Sequence, residues 1–172
     1  MNNLTLSNIA LYISRVKASY PYGIPQELLN CDPLESTSAR LVVVGIGEGG
    51  GEPFSGSSGD LLRAAITKGL RLSLTEVAFV DSSQFDTVEV AVSEFDSIID
   101  KSPDSLVIFL GNQAATQFGI GEALNYSLGE IIEFRNLRAV VVSNPIDVTS
   151  GSVSKAVLWR ELQPVIEALS IR

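Results

Sequence analysis

Two carboxylates, Glu48 and Glu52, stand in a glycine-rich loop: Gly45-Ile46-Gly47-Glu48-Gly49-Gly50-Gly51-Glu52-Pro53-Phe54-Ser55-Gly56. Carboxylates so placed can orient a water or stabilise a developing cation. Other chemistry is narrowed by what the chain lacks. It has no histidine, and Cys31 is its single cysteine. Histidine bases, histidine zinc ligands and the standard serine or cysteine triads are therefore excluded. No internal disulfide and no cysteine-held cluster can form within one chain. Acid/base chemistry near neutral pH is left to carboxylates, lysine, tyrosine or water.

The loop sits between a buried strand and a helix. Arg40 to Ile46 reads as the first strand, continuously apolar as in a parallel sheet covered on both faces. A helical pattern begins near Ser58 and runs through Leu61 to Leu70. Glu76 to Asp81 is the second strand, Val88 to Ile99 the next helix, and Ser102-Pro103 its stop. Leu106 to Leu110 is the third strand, followed by helical pattern over Ala114 to Phe118 and again near Glu122 to Tyr126. Ile131 to Phe134 fits either element. Ala139 to Ser143 is the fourth strand, and the last helix spans about Ser152 to Leu169, with Leu158, Leu162, Val165, Ile166 and Leu169 on its apolar stripe. At the other end, Leu6 to Ser19 reads as an amphipathic helix and Tyr20 to Ser38 as an irregular arm. Alternation of strand and helix predicts an α/β fold, a three-layer α/β/α sandwich around a mostly parallel four-stranded sheet. The length suits a single domain, with the first 38 residues packed on the core formed by 39–172.

In such folds ligands collect beyond the carboxyl ends of the strands. The segments expected on that rim are Gly45 to Phe54, Asp81 to Gln84, Gly111 to Gln113 and Ser143 to Asp147. Gly45, Gly47 and Gly50 reproduce the G-x-G-x-x-G spacing of a dinucleotide loop, yet Glu48, Glu52 and Pro53 crowd the place of an anionic pyrophosphate. A phosphate-binding P-loop fails because no Lys-Ser or Lys-Thr pair closes the loop.

An ordered set of segments resembles another family. Pro53-Phe54-Ser55-Gly56-Ser57-Ser58-Gly59-Asp60-Leu61-Leu62 is similar to the stretch after the first catalytic motif of uracil-DNA glycosylases of the thermophile type. Leu70 to Asp81 resembles that family's next turn and strand. Val107-Ile108-Phe109-Leu110-Gly111, then Ala114-Ala115, resembles its third strand and helix. Val141-Val142-Ser143-Asn144-Pro145, then Ser152 to Leu162 with Trp159, resembles its closing motif and final helix. The resemblance covers most of the chain from Arg40 onward.

It implies a glycosylase-like hydrolase of DNA repair that cleaves an N-glycosidic bond to a nucleobase, in DNA or free. Glu48, Glu52 and Asn144 would be catalytic. Gly45, Ile46, Gly47, Phe54, Asp81 and Pro145 would bind the base, with Phe54 stacking on it. The departures redirect these roles. Ile46 stands where the family has a glutamate, Asp81 where an asparagine reads the uracil edge, and Asn144 where a histidine steadies the departing base. An ionised Asp81 only accepts hydrogen bonds, so it would favour a two-donor, guanine-like edge over uracil. Its plainer role is to cap a loop or pair with a lysine. The plainer role of Glu48 and Glu52 is loop solvation. The second functional class is a catalytically inactive module that keeps the fold and binds a nucleobase, a nucleotide or a protein.

Composition weighs on partners. The net charge of −8 opposes tight non-specific DNA binding, which normally rests on excess Lys and Arg. No cofactor and no metal is expected. The apolar runs are strand-length, and no basic-then-apolar leader opens the sequence, so a cytoplasmic location without membrane insertion is expected. Trp159 reads as a packing residue, and Lys155 and Arg160 as exposed helix charges.

Overall fold

The computed structural model describes residues 38–49, 52–121 and 126–170. Internal contacts divide the chain into Met1–Ser36 and Thr37–Arg172, and the fold that follows is that of the second unit. The expected N-terminal helix, the arm up to Thr37 and Cys31 lie outside the described residues, as does most of the expected segment Glu122 to Tyr126.

Five strands form one sheet: β1 (Leu41–Gly45), β2 (Val77–Asp81), β3 (Leu106–Leu110), β4 (Ile131–Phe134) and β5 (Leu137–Val142), in the order β2-β1-β3-β5-β4. All neighbours are parallel except β4 and β5. The helices are α1 (Gly56–Ala64), α2 (Val88–Lys101), α3 (Asn112–Gln117), α4 (Pro145–Thr149) and α5 (Lys155–Ser170).

Alternation along the strands builds two cores. Leu41, Val43, Ile108 and Val142 face Leu62, Ile66, Leu158 and Val165 of α1, its extension and α5. Val42, Val44, Phe109 and Val141 face Ala91, Phe95, Ala115 and Phe118 of α2 and α3. Helices therefore cover both faces, which is why the parallel strands read as unbroken apolar runs. Phe95 and Phe118 meet edge-on at 5.6 Å, as do Phe109 and Phe134, so aromatic geometry adds to simple burial on that side.

The sheet has one strand more than the four expected. β4 is a short edge strand that pairs antiparallel with β5, with Phe134 opposite Leu137. The two-residue turn between them is Arg135-Asn136, both at positive φ, 52° and 64°. Hairpins of this kind usually announce themselves with Asn-Gly or Asp-Gly. Here an arginine holds the first position, so the sequence signal is weak. Arg135 secures it by an ion pair with Asp96 of α2 and by lying over the Phe134 ring, 5.1 Å from its centre.

A capping box fastens the entry to β2. Ser73 N–H donates to Glu76 Oε2 at 2.9 Å, and Arg40 Nη1, just ahead of β1, donates to Glu76 Oε1 at 3.0 Å. The Ser73 amide first, and Arg40 second, hold the Glu76 carboxyl below its ordinary value of 4.5. A depressed folded-state value stabilises the fold above the unfolded value and is lost as pH falls through the folded one. Urea midpoints should therefore decline from about pH 5 to about pH 3. Glu76→Gln should flatten part of that decline, and an unchanged pH profile in the variant would show that the box carries none of it.

Candidate functional site at the strand termini

The rim at the carboxyl ends of the parallel strands is assembled as expected, in the order Asp81, Gly45, Gly111 and Ser143 along β2, β1, β3 and β5. The strand order reverses direction between β1 and β3, the usual place for a ligand crevice. Gly111 takes φ 87°, and a Cβ there would lie 3.4 Å from Asn144 Cβ, so the ends of β3 and β5 touch. Helix α1 packs against α4, which brings the turn after the glycine loop beside the Asn144-Pro145 corner.

Asp81 organises the loop. It is 1% exposed. Oδ1 accepts from Gly47 N–H at 2.8 Å, Ser83 N–H at 3.0 Å and Ser83 Oγ–H at 2.7 Å. Oδ2 accepts from Phe54 N–H at 2.8 Å. Both oxygens are thus occupied by the protein's own donors, and all four bonds come from backbone N–H or hydroxyl groups of its own turn and the glycine loop. In this arrangement the carboxylate fastens a loop, the plainer of its two sequence readings.

Phe54 is also placed differently from expectation. Its side chain is 5% exposed and belongs to the core on the α1 and α5 face, meeting Phe79 edge-on at 6.1 Å. It is a core ring rather than a surface platform. Its backbone takes φ 49°, a left-handed conformation that a bulky residue adopts only when its surroundings compel it. Three things compel it here. Asp81 holds its N–H, Arg63 Nη1 donates to its carbonyl at 3.0 Å, and its ring lies against Gly45, where a Cβ would come within 2.8 Å of Cε1.

The glycines at this turn are there for closeness of approach. A Cβ on Gly47 would lie 2.2 Å from Asp81 Oδ2, and one on Gly59 would lie 1.5 Å from the Phe54 carbonyl oxygen. Ser55, at the start of α1, does not cap the helix; its hydroxyl donates to Gly49 O at 3.0 Å and pulls the loop inward. Gly50 and Gly51 lie outside the described residues.

The other expected residues are more open. Glu48 is exposed, with Oε2 3.0 Å from where a Gly56 Cβ would stand. The Glu52 side chain is 82% exposed, with Arg63 Nη2 3.7 Å away. Asn144 is half-buried and caps α4, its Oδ1 accepting from Ile146 N–H at 3.0 Å. Its Nδ2 donates to no partner among the described residues. Pro145 is buried at the first position of α4, where its missing N–H costs nothing. Ile46 is partly buried in the loop.

No family model matches this sequence, and no curated protein is significantly similar to it. The glycosylase resemblance stands on the segments quoted above alone.

One buried polar contact on this rim was not expected. Glu161 of α5 is 6% exposed and accepts from Ser143 N–H at 2.7 Å and Ser143 Oγ–H at 3.0 Å. It tethers the end of β5 to the last helix. The spacing could have shown it, since Glu161 lies three residues after Leu158 and four before Val165, on the buried stripe itself. Among the described residues, no group of three or more potential metal ligands occurs, and no helix is long and apolar enough to cross a membrane.

Proposed function

We propose that this chain is a non-catalytic interaction module on a glycosylase-like α/β scaffold. The observation that carries the reading is the state of Asp81: both carboxylate oxygens are spent on the chain's own loop, beside a Phe54 ring sunk in the core. The two side chains that would recognise a nucleobase are thus committed to structure. Releasing Asp81 would strand the buried Phe54 N–H, at about 1–3 kcal/mol, and would also free the part-buried Gly47 N–H. The absence of histidine and the net charge of −8 support the same reading.

Asn144 favours a second reading, that of a divergent glycosylase. Its Nδ2 is uncommitted among the described residues and could donate to a departing base oxygen, with the exposed Glu48 supplying the carboxylate. In that reaction water would add to the sugar carbon as the carbon–nitrogen bond breaks, and the base would leave protonated.

A glycosylase assay separates the two. With oligonucleotides carrying uracil, hypoxanthine or xanthine, the module should release no base above a protein-free blank. Release that disappears in Glu48→Gln and Asn144→Ala would overturn the module and establish the enzyme.

A further inference from the structure

Two neighbouring cavities open away from the strand-end rim, between the α1 side and α5. One, of about 390 Å³, is floored by apolar side chains, among them Leu61, Ala65, Leu158 and Leu162. The other, of about 580 Å³, reaches Arg40, Arg71 and Leu169. They share Lys68, Gly69 and Trp159, so they form one groove with the indole between its halves. Trp159 is 43% exposed, although one edge packs on Gly69, where a Cβ would lie 2.5 Å from Cζ3. Packing therefore covers part of the indole and leaves the rest open to the groove. Helix α1 continues into a wider π turn over Ala65–Leu70 and ends at Arg71 with φ 57°, which presents Lys68 and Arg71 at the groove's edge.

The charge of this groove runs against that of the chain. The sequence has 12 Lys and Arg against 20 Asp and Glu. Yet Arg40, Lys68, Arg71 and Lys155 line the two halves, and among the described residues no Asp or Glu lines either. Of these cations Arg40 is paired, with Glu76 at 3.0 Å. A half-exposed tryptophan in an apolar trough with a one-signed rim is the composition of a protein-binding hot spot. Both walls of the trough are helical, so there is no open strand edge for an incoming strand to extend. A groove between two helical walls suits an amphipathic helix laid in it with its apolar side inward.

We infer that the groove between the Gly56–Leu70 helical segment and α5 docks an acidic amphipathic helix of a partner protein. Its apolar residues lie on Leu61, Ala65 and Leu158, one of them against Trp159, and its carboxylates meet Lys68, Arg71 and Lys155. This rests on the reading of the chain as an interaction module and gives that module its class of partner.

Trp159 is the chain's single tryptophan, so its emission reports the groove directly. The full chain should be titrated with a synthetic helical peptide that carries leucines at i, i+3, i+4 and i+7 flanked by glutamates. Saturable change in emission is expected, weakening as salt rises. The same peptide with lysines for glutamates should bind at least about tenfold more weakly. Lys68→Glu combined with Lys155→Glu should weaken the acidic peptide by about tenfold or more, whereas Lys101→Glu should leave it unchanged. Circular dichroism of each variant checks the fold. Equal binding of the two peptides, or no response to the acidic one, overturns the proposal. So does a response only to anionic phosphatidylglycerol vesicles, or sedimentation showing self-association that the double variant abolishes. Base release in the glycosylase assay would instead overturn the module reading, so the two failures are distinguishable.

Discussion

Gly59→Ala should destabilise the protein by about 3 kcal/mol or more, although the site is inside a helix. Ordinarily an alanine there gains about 1 kcal/mol, because glycine loses the most backbone entropy on folding. The sign reverses because the space is taken. An added Cβ would stand 1.5 Å from the Phe54 carbonyl oxygen, with Arg63 Nη1 at 2.8 Å. The arginine can swing away, but the carbonyl cannot, since its residue is held on both sides. Phe54 N–H is bound by Asp81, and its ring is buried in the core. Relief requires that the whole turn lift off α1, which gives up the Asp81 bond and the ring's burial together. Domains of this size are stable by about 5–15 kcal/mol in total, so the loss is a large share. Ser57→Ala, exposed on the same helix, is the matched control and should change stability by less than about 0.5 kcal/mol. Urea unfolding of both variants decides it: a Gly59→Ala protein more stable than the parent would mean that the turn is not clamped.

The contrast between strands and site shows what a sequence displays. β3 was legible to the residue, and β1, β2 and β5 to within two residues at each end, because parallel strands buried on both faces must be apolar throughout. The edge strand β4 resisted because Ile131 and Ile132 are only partly buried and its turn lacks glycine. The rim segments were legible as a set, since topology places strand ends together. Their roles were not. Asp81 and Phe54 have the residue types of a recognition site, and type and spacing leave the carboxylate's two readings, base edge and loop cap, undecided. That choice depends on contacts 27 and 34 residues apart in the chain. The basic groove was hidden for a similar reason. Arg40, Lys68, Arg71 and Lys155 are scattered through an acidic sequence, and only the fold gathers them around Trp159.

Asp81→Asn should cost about 2–4 kcal/mol and should not create uracil binding. The substitution looks conservative, and it restores the residue that the resembled glycosylases carry at this point. The geometry makes it disruptive. An amide keeps one acceptor oxygen and replaces the other with a donor. If the oxygen takes the place of Oδ1, it serves Gly47 and Ser83, but the new N–H₂ then faces Phe54 N–H across 2.8 Å. If it is flipped, the donor faces Gly47 and Ser83 instead. Either way at least one backbone N–H loses its acceptor, and the remaining bonds lose the strength that ionisation lends them. The Phe54 amide is the more consequential loss, because that residue sits at φ 49° against its own preference. Amide exchange at Gly47 and Phe54 should accelerate by more than the global loss of stability explains, while core strand β3 follows the global change. The amide would still be enclosed at a position 1% exposed, so calorimetry with free uracil should show no heat in the variant, as in the parent. A variant that bound uracil with its stability intact would place Asp81 at a ligand edge after all, and the loop-fastening account of this rim would fall with it.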